Sequence, residues 1–131
     1  MTEMTTAGVV DLRSPRPVAE TMEHLESLVR ARGLKIFARI DFGADAAAAG
    51  LSMRPMQMLI FGNPKGGTPL LQASPRAGLD LPLKALAWQD ANGATWLSFN
   101  AASYIGTRHG LSPELVENIA GLAPLLDEAT R

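Results

Sequence analysis

The 131-residue sequence has no cysteine, two histidines and a single tyrosine. Without thiols it can form no disulfide, thiolate zinc site, iron–sulfur cluster or cysteine nucleophile, and two well-separated imidazoles are a poor supply for a transition-metal site. No metal and no cofactor is therefore expected. An excess of positive charge is missing too: 12 Lys and Arg stand against 13 Asp and Glu, for a net charge of −1. Nucleic-acid binding draws much of its affinity from clustered cations that neutralise phosphates, so DNA and RNA are not expected as partners. No apolar run approaches the roughly 18 to 20 residues of a membrane-spanning helix, and the opening Met1-Thr2-Glu3-Met4 lacks the basic-then-apolar pattern of a secretion signal. These absences lead to an expectation of a cytoplasmic chain that does not engage a membrane.

What is present is 47% apolar and 19% charged residue content, which suits a single domain over 1–131 with its core over about 9–127 and a flexible start at 1–7. Val9-Val10-Asp11-Leu12-Arg13 alternates as a short strand and stops at Ser14-Pro15-Arg16-Pro17. Val18, Met22, Leu25 and Val29 then recur on one side of a helix, with Pro17 suited to its first turn and Gly33 to the position after its last. Leu34, Ile36, Ala38, Ile40 and Phe42 alternate with Lys35, Phe37, Arg39 and Asp41, the period of a half-buried strand. Residues 44–50 have the composition of a short connecting helix closed by Gly50. Met56 to Phe61 reads as an interior strand, and the glycine- and proline-rich stretch 62–82 as a loop with at most a short helix at Leu70–Gln72. Leu83–Gln89 and Thr95–Asn100 flank Asn92-Gly93, which favours a tight hairpin turn. A last helix starts at Ser112-Pro113-Glu114 and buries Leu115, Ile119, Leu122 and Leu126; Pro124 is expected to kink it and fray its final turn. The order strand, helix, four strands, helix predicts an α+β domain, β-α-β(4)-α, with an antiparallel sheet and two main helices packed on one face.

Few residues offer chemistry. Gly62-Asn63-Pro64-Lys65-Gly66-Gly67-Thr68-Pro69 follows a strand, so freed backbone N–H groups and Lys65 could meet an anion. A P-loop is excluded, because its lysine must directly precede the Ser or Thr; consecutive turns are the plainer reading. Lys84, Leu86 and Trp88 share one strand face and could grip an anionic, partly apolar ligand, whereas Trp88 and Trp96 could equally be core or interface aromatics. Asp41 shares a face with Arg39, which suits an ion pair or an acidic ligand contact. His109, between Arg108 and Gly110, is better suited to bonding a loop than to acting as a base, and His24 is expected to face solvent. Met53, Met56 and Met58 read as ordinary core filler. Ser98 and Ser103 lack any nucleophile-elbow pattern, so serine hydrolysis is not supported.

Two long segments, Leu59-Ile60-Phe61-Gly62-Asn63-Pro64-Lys65-Gly66-Gly67-Thr68-Pro69-Leu70 and Gly78-Leu79-Asp80-Leu81-Pro82-Leu83-Lys84, resemble the domain of unknown function 302 family. Ile40-Asp41, Ala49-Gly50-Leu51, Trp96-Leu97-Ser98 and Arg108-His109-Gly110-Leu111 extend the resemblance over about residues 9–112. It implies a fold similar to the TATA-binding-protein-like class and a homodimer, and it implies no activity. This chain has Phe42 where many members carry His, and Phe99-Asn100-Ala101-Ala102 where they carry Tyr-Asn-Asp-Pro, so two acid–base or ligand groups are missing. The resulting expectation is a homodimeric small-molecule-binding domain with a pocket between the sheet and the 62–82 segment. Its candidate ligand residues are Asn63, Lys65, Lys84, Asn100, Asp41 and Trp88, for a small anionic or partly apolar ligand. The alternatives are an interaction or structural module without a ligand, and an enzyme using Asp41 as base with Lys65 or Lys84 as stabiliser. That enzyme requires its side chains to converge in one pocket.

Overall fold

Alternation along the strands gives this protein a sheet with two unlike faces. The computed structural model describes residues 7–131 and the backbone of residues 2–4. Its strands are β1 (Thr2–Met4), β2 (Val9–Ser14), β3 (Lys35–Asp41), β4 (Met56–Gly62), β5 (Leu83–Gln89) and β6 (Thr95–Asn100). They lie in the order β1-β2-β6-β5-β4-β3, and every pairing is antiparallel. The helices are α1 (Val18–Ala31), α2 (Phe42–Ala48), α3 (Pro64–Ala73), α4 (Ala102–His109), α5 (Pro113–Glu117) and α6 (Leu122–Ala129). The α+β class and the antiparallel sheet are as expected. The flexible start expected over 1–7 falls partly outside the described residues, and Thr2–Met4 is an edge strand paired with β2 rather than a free segment.

One face of the sheet carries the main core. Val10, Leu12, Leu59, Phe61, Ala85, Ala87, Leu97 and Phe99 are buried on it against the stripe Val18, Met22, Leu25 and Val29 of α1 and against Leu122, Leu125, Leu126 and Ala129 of α6. Two buried hydroxyls inside it are paired: those of Ser14 and Thr21 lie 2.6 Å apart, and Thr21 also donates to the Arg16 carbonyl. The other face presents Met58, Ile60, Leu86, Trp88 and Trp96, all only half-buried. A bulge in β3 decides which side chains go where. Ile36 pairs with Phe61 but Ala38 with Ile60, leaving Phe37 as the extra residue. Past an extra residue the alternation inverts. Ala38 and Ile40 therefore stand beside Ile60 and Met58, and Arg39 takes the helix-facing side, where it reaches Glu23 of α1 at 2.7 Å. Straight alternation from Leu34 to Phe42 is corrected accordingly.

Three segments depart from the sequence expectation. Most of 62–82 is helical: Asn63 caps α3 by accepting from the Lys65 N–H at 3.0 Å, Pro64 occupies the first turn and Leu70 is buried, and a 3-10 turn over Pro75–Leu79 follows. Tertiary anchoring outweighs the poor propensity of Gly66-Gly67. The unanticipated α4 is held by buried Ile105 and ends at Gly110 in the left-handed region, φ 63°. The C-terminal segment is two helices rather than one kinked helix. Pro124 is the third residue of α6, where an N–H has no intrahelical acceptor, so it starts a helix instead of bending one. The final turn is packed rather than frayed, with Leu125, Leu126 and Ala129 buried.

Leu70, Ala77, Leu81, Ile105 and Ile119 form a second, smaller core beyond the end of the sheet, and Leu83 packs against both cores. At the same end the Ala101 N–H donates to the Gly8 carbonyl at 2.8 Å. Gly8 has φ 76°, and a Cβ there would overlap the base of the Tyr104 side chain. Gly8→Ala is thus expected to cost about 1–3 kcal/mol from overpacking, with backbone strain added. Urea denaturation should show a lower midpoint at an unchanged slope; an unchanged midpoint would contradict the packing described.

Candidate functional site

A cavity of about 450 Å³ opens at the seam between the two cores. Local chain geometry builds its walls. Where α1 ends, Arg32, Gly33 and Leu34 donate back to the carbonyls of Leu28, Arg30 and Val29, with Gly33 at φ 70°, so the chain turns at once into β3. This puts Arg32 and Leu34 on the rim, and the bulge adds Phe37. Phe61 and Leu83 come from paired positions of β4 and β5, Leu81 precedes them, and Ile119, Leu122 and Leu125 close the side formed by the C-terminal helices. The polar lining side chains Arg32, Asn63, Thr68 and Asn118 are exposed, whereas Phe61, Leu81, Ile119, Leu122 and Leu125 are buried. The site is an apolar hollow with a polar rim. Asn118 ties the two sides together by donating to the Gly66 carbonyl at 3.1 Å.

Of the candidate residues from sequence, Asn63 lines this cavity and the other five do not. Lys65 is exposed on the first turn of α3. Lys84 pairs with Ile60 on the opposite sheet face, and its Nζ donates to the Pro82 carbonyl at 3.0 Å. Asn100 is exposed at the end of β6, opposite Val9. Asp41 caps α2 by accepting from the Ala44 N–H at 2.9 Å. Trp88 is half-buried on the second face, where its Nε1 donates to Ser98 Oγ at 2.7 Å and Ser98 donates to Asp11 at 2.5 Å. Asp41 opposes Gln57 whereas Lys84 opposes Ile60, an odd offset that puts them on opposite faces. Asp41 also lies about 20 Å along β3 from the end that meets Gly62, at roughly 3.3 Å per residue. The acid–base pairing of Asp41 with either lysine is not formed.

A polar cluster that sequence reasoning did not assemble joins Asp80, Arg108 and His109. His109 Nε2 is 2.5 Å from Asp80 Oδ2 and Arg108 Nη1 donates to the same oxygen at 2.9 Å, with the Asp80 and His109 side chains 10% and 6% exposed. Burial pushes the Asp80 carboxyl up, but the His109 hydrogen bond and the Arg108 charge outweigh it and hold it below the usual range. The cluster fastens the end of α4 to the chain just before Leu81. Both halves fall in segments singled out by sequence, yet only the fold brings them together. Asp90 is likewise held low, by the Trp96 indole N–H and by backbone N–H groups of Ala94 and Asn92 in the β5–β6 hairpin. Among the described residues no group of three or more His, Asp or Glu could hold a metal ion.

The model of one protein family, the domain of unknown function DUF302, matches residues 10–129. The uncharacterized conserved protein DUF302 from Bacillus stearothermophilus has the same fold, with a TM-score of 0.77 at 21% identity over 95% of this chain and 97% of its own. Two curated relatives are 41% identical over 111 residues, 85% of this chain: fluoride-specific ion channel FluC 1 of Brucella suis biovar 1 (strain 1330) and of Brucella abortus biovar 1 (strain 9-941). The match covers 44% and 41% of those proteins, so the chain spans less than half their length. Among the described residues of this chain, no helix is long and apolar enough to cross a membrane.

The Asp80 cluster sets a pH dependence. A carboxyl lower in the folded than in the unfolded chain stabilises fully above the unfolded value of about 4, and that contribution is lost as pH falls through the folded value. Asp80→Asn should therefore lower stability at neutral pH and flatten the loss below about pH 4. Denaturation curves taken across the acid range check this; parallel curves for both proteins would contradict it.

Proposed function

The chain belongs to the DUF302 family, and we propose that it is a small-molecule-binding domain that takes an apolar body into the seam cavity. The observation that carries this reading is the cavity itself: its 450 Å³ falls within the roughly 300–1,000 Å³ of ligand sites, and its walls are apolar with a few polar groups at the rim. Phe37 and Leu71 on its lining remain 43% and 38% exposed. A ligand that covered them would remove apolar surface from water, worth about 25 cal/mol per Å². Asn63 is the expected ligand residue that takes part in this site; Lys65, Lys84, Asn100, Asp41 and Trp88 serve other surfaces.

The partner expected from sequence, a second copy of the chain, fits the sheet's second face. Met58, Ile60, Leu86, Trp88 and Trp96 form a half-buried apolar surface there, and the indole N–H groups of both tryptophans are already bonded within the chain. Packing two such surfaces would strand neither indole N–H, with Lys84 and Arg13, the cations of the same face, kept at the rim in water. The Brucella relatives suggest a setting for this domain: they are named as fluoride-specific channels, and the segment shared with this chain is under half of each. On this reading the domain works beside a fluoride channel, as an accessory and not as the pore.

Two experiments test these readings. A neutral naphthylamine fluorophore should brighten on binding the wild-type protein, and Leu71→Trp, which fills the cavity from α3, should abolish the signal. An undiminished signal in Leu71→Trp would remove the cavity as the site. Sedimentation should find a dimer that Ile60→Glu converts to a monomer; a monomeric wild type at the same concentration would refute the second-face interface.

A further inference from the structure

We infer that the ligand of the seam cavity is a monoanionic amphiphile, an apolar tail carrying a carboxylate, and that Arg32 selects it; this rests on the reading of the cavity as a ligand site. Among the described residues, Arg32 is the one charged residue of the lining. Its Nη2 donates to Glu128 of α6 at 2.5 Å, which holds the guanidinium in place and leaves the rest of its donor fork for a second carboxylate. The surrounding backbone adds to the same sign of field. The N-terminal ends of α3, at Asn63-Pro64, and of α6, at Gly121-Leu122, both lie on the lining; the N–H groups of Lys65, Gly66 and Gly67 are bonded to Asn63 and that of Leu122 to the Ile119 carbonyl, so these ends add the field of their dipoles and not free donors. The opposite, negative end of α1 is nearby, but the carbonyls of Leu28, Val29 and Arg30 are taken by backbone N–H groups.

The chemistry of this arrangement limits the head group and the tail. Glu128 already offsets much of the Arg32 charge, so the site tolerates one further negative charge better than a doubly charged phosphate, and the unused side of the planar fork matches a carboxylate. At roughly 30 Å³ for each water-sized group, the 450 Å³ cavity holds on the order of fifteen heavy atoms, so a tail of about eight to ten carbons with its carboxylate fills most of it.

Calorimetric titration with octanoate and with 1-octanol tests the inference, because the two share a tail and differ in charge. Octanoate is expected to bind the wild-type protein at least about tenfold more tightly than octanol. Arg32→Gln should bring octanoate down to the octanol value without changing octanol, and Arg32→Lys, which keeps the cation but not the fork, should retain part of the preference. If octanol binds as tightly as octanoate, or if the preference survives in Arg32→Gln, Arg32 does not select the ligand, although the cavity remains a binding site. If neither alcohol nor acid binds and the naphthylamine fluorophore does not either, the ligand-site reading fails along with this inference. A loss of both ligands in Arg32→Gln, with full folding by thermal unfolding, would assign Arg32 a structural role and overturn the proposal.

Discussion

Ile119 and Leu122 stand three residues apart, yet they belong to different hydrophobic cores, and the chain between them cannot be a continuous helix. In one helix those positions would share a face and draw both cores into one. The break instead holds the cores apart and leaves the cavity between them. Each flank is fastened separately. Asn118 bonds the carbonyl of Gly66, where the crossing is so close that a Cβ would lie 3.2 Å from the Asn118 carbonyl oxygen. On the other side Glu128 bonds Arg32. Both partners of that ion pair are about two-fifths exposed, so it contributes at most about 1 kcal/mol and its main effect is to orient the guanidinium.

The two faces of the sheet divide the remaining work. Helix packing on the first face supplies the stability, because fully buried Met22, Leu25, Leu59, Phe61 and Leu97 are concentrated there. The second face is largely apolar but only partly buried; Trp88, Ser98 and Asp11 form a hydrogen-bonded chain on it, and it also carries Lys84 and Arg13. Such a chain fixes the indole in one orientation. The bulge in β3 serves both sides: it sends Ala38 and Ile40 to the second face and frees Phe37 for the cavity.

Much of this architecture was legible in the sequence. The stripe of α1, the alternation of β2, the apolar run of β4, and the Asn92-Gly93 turn between β5 and β6 are local signals that tertiary structure does not override. Other elements were not legible because distant residues decide them. The helix α3 contains Gly66, Gly67 and Pro69, and it forms because Asn63 caps it and Leu70 is anchored in the second core; the Asn63-Pro64 pair was the available signal. Helix α4 carried its mark in Gly110 and in the basic residues Arg108 and His109 before it. One extra residue in β3 inverted the faces of a strand whose existence was clear. The candidate site was the least legible part. Asn63 could be named from its turn chemistry, whereas Arg32, Phe37, Leu81 and Ile119 come from four separate segments and looked in the sequence like a helix end, the polar side of a strand, a loop and a buried helix stripe.

Methyl-resolved NMR during a titration with octanol shows whether the seam between the two cores is where this protein receives a small apolar molecule. Shifts are expected to concentrate on the methyl groups of Leu81, Ile119, Leu122 and Leu125, with Met58 and Leu86 on the second sheet face unmoved. Shifts centred on Met58 and Leu86, or none at saturating octanol, would contradict that role of the seam.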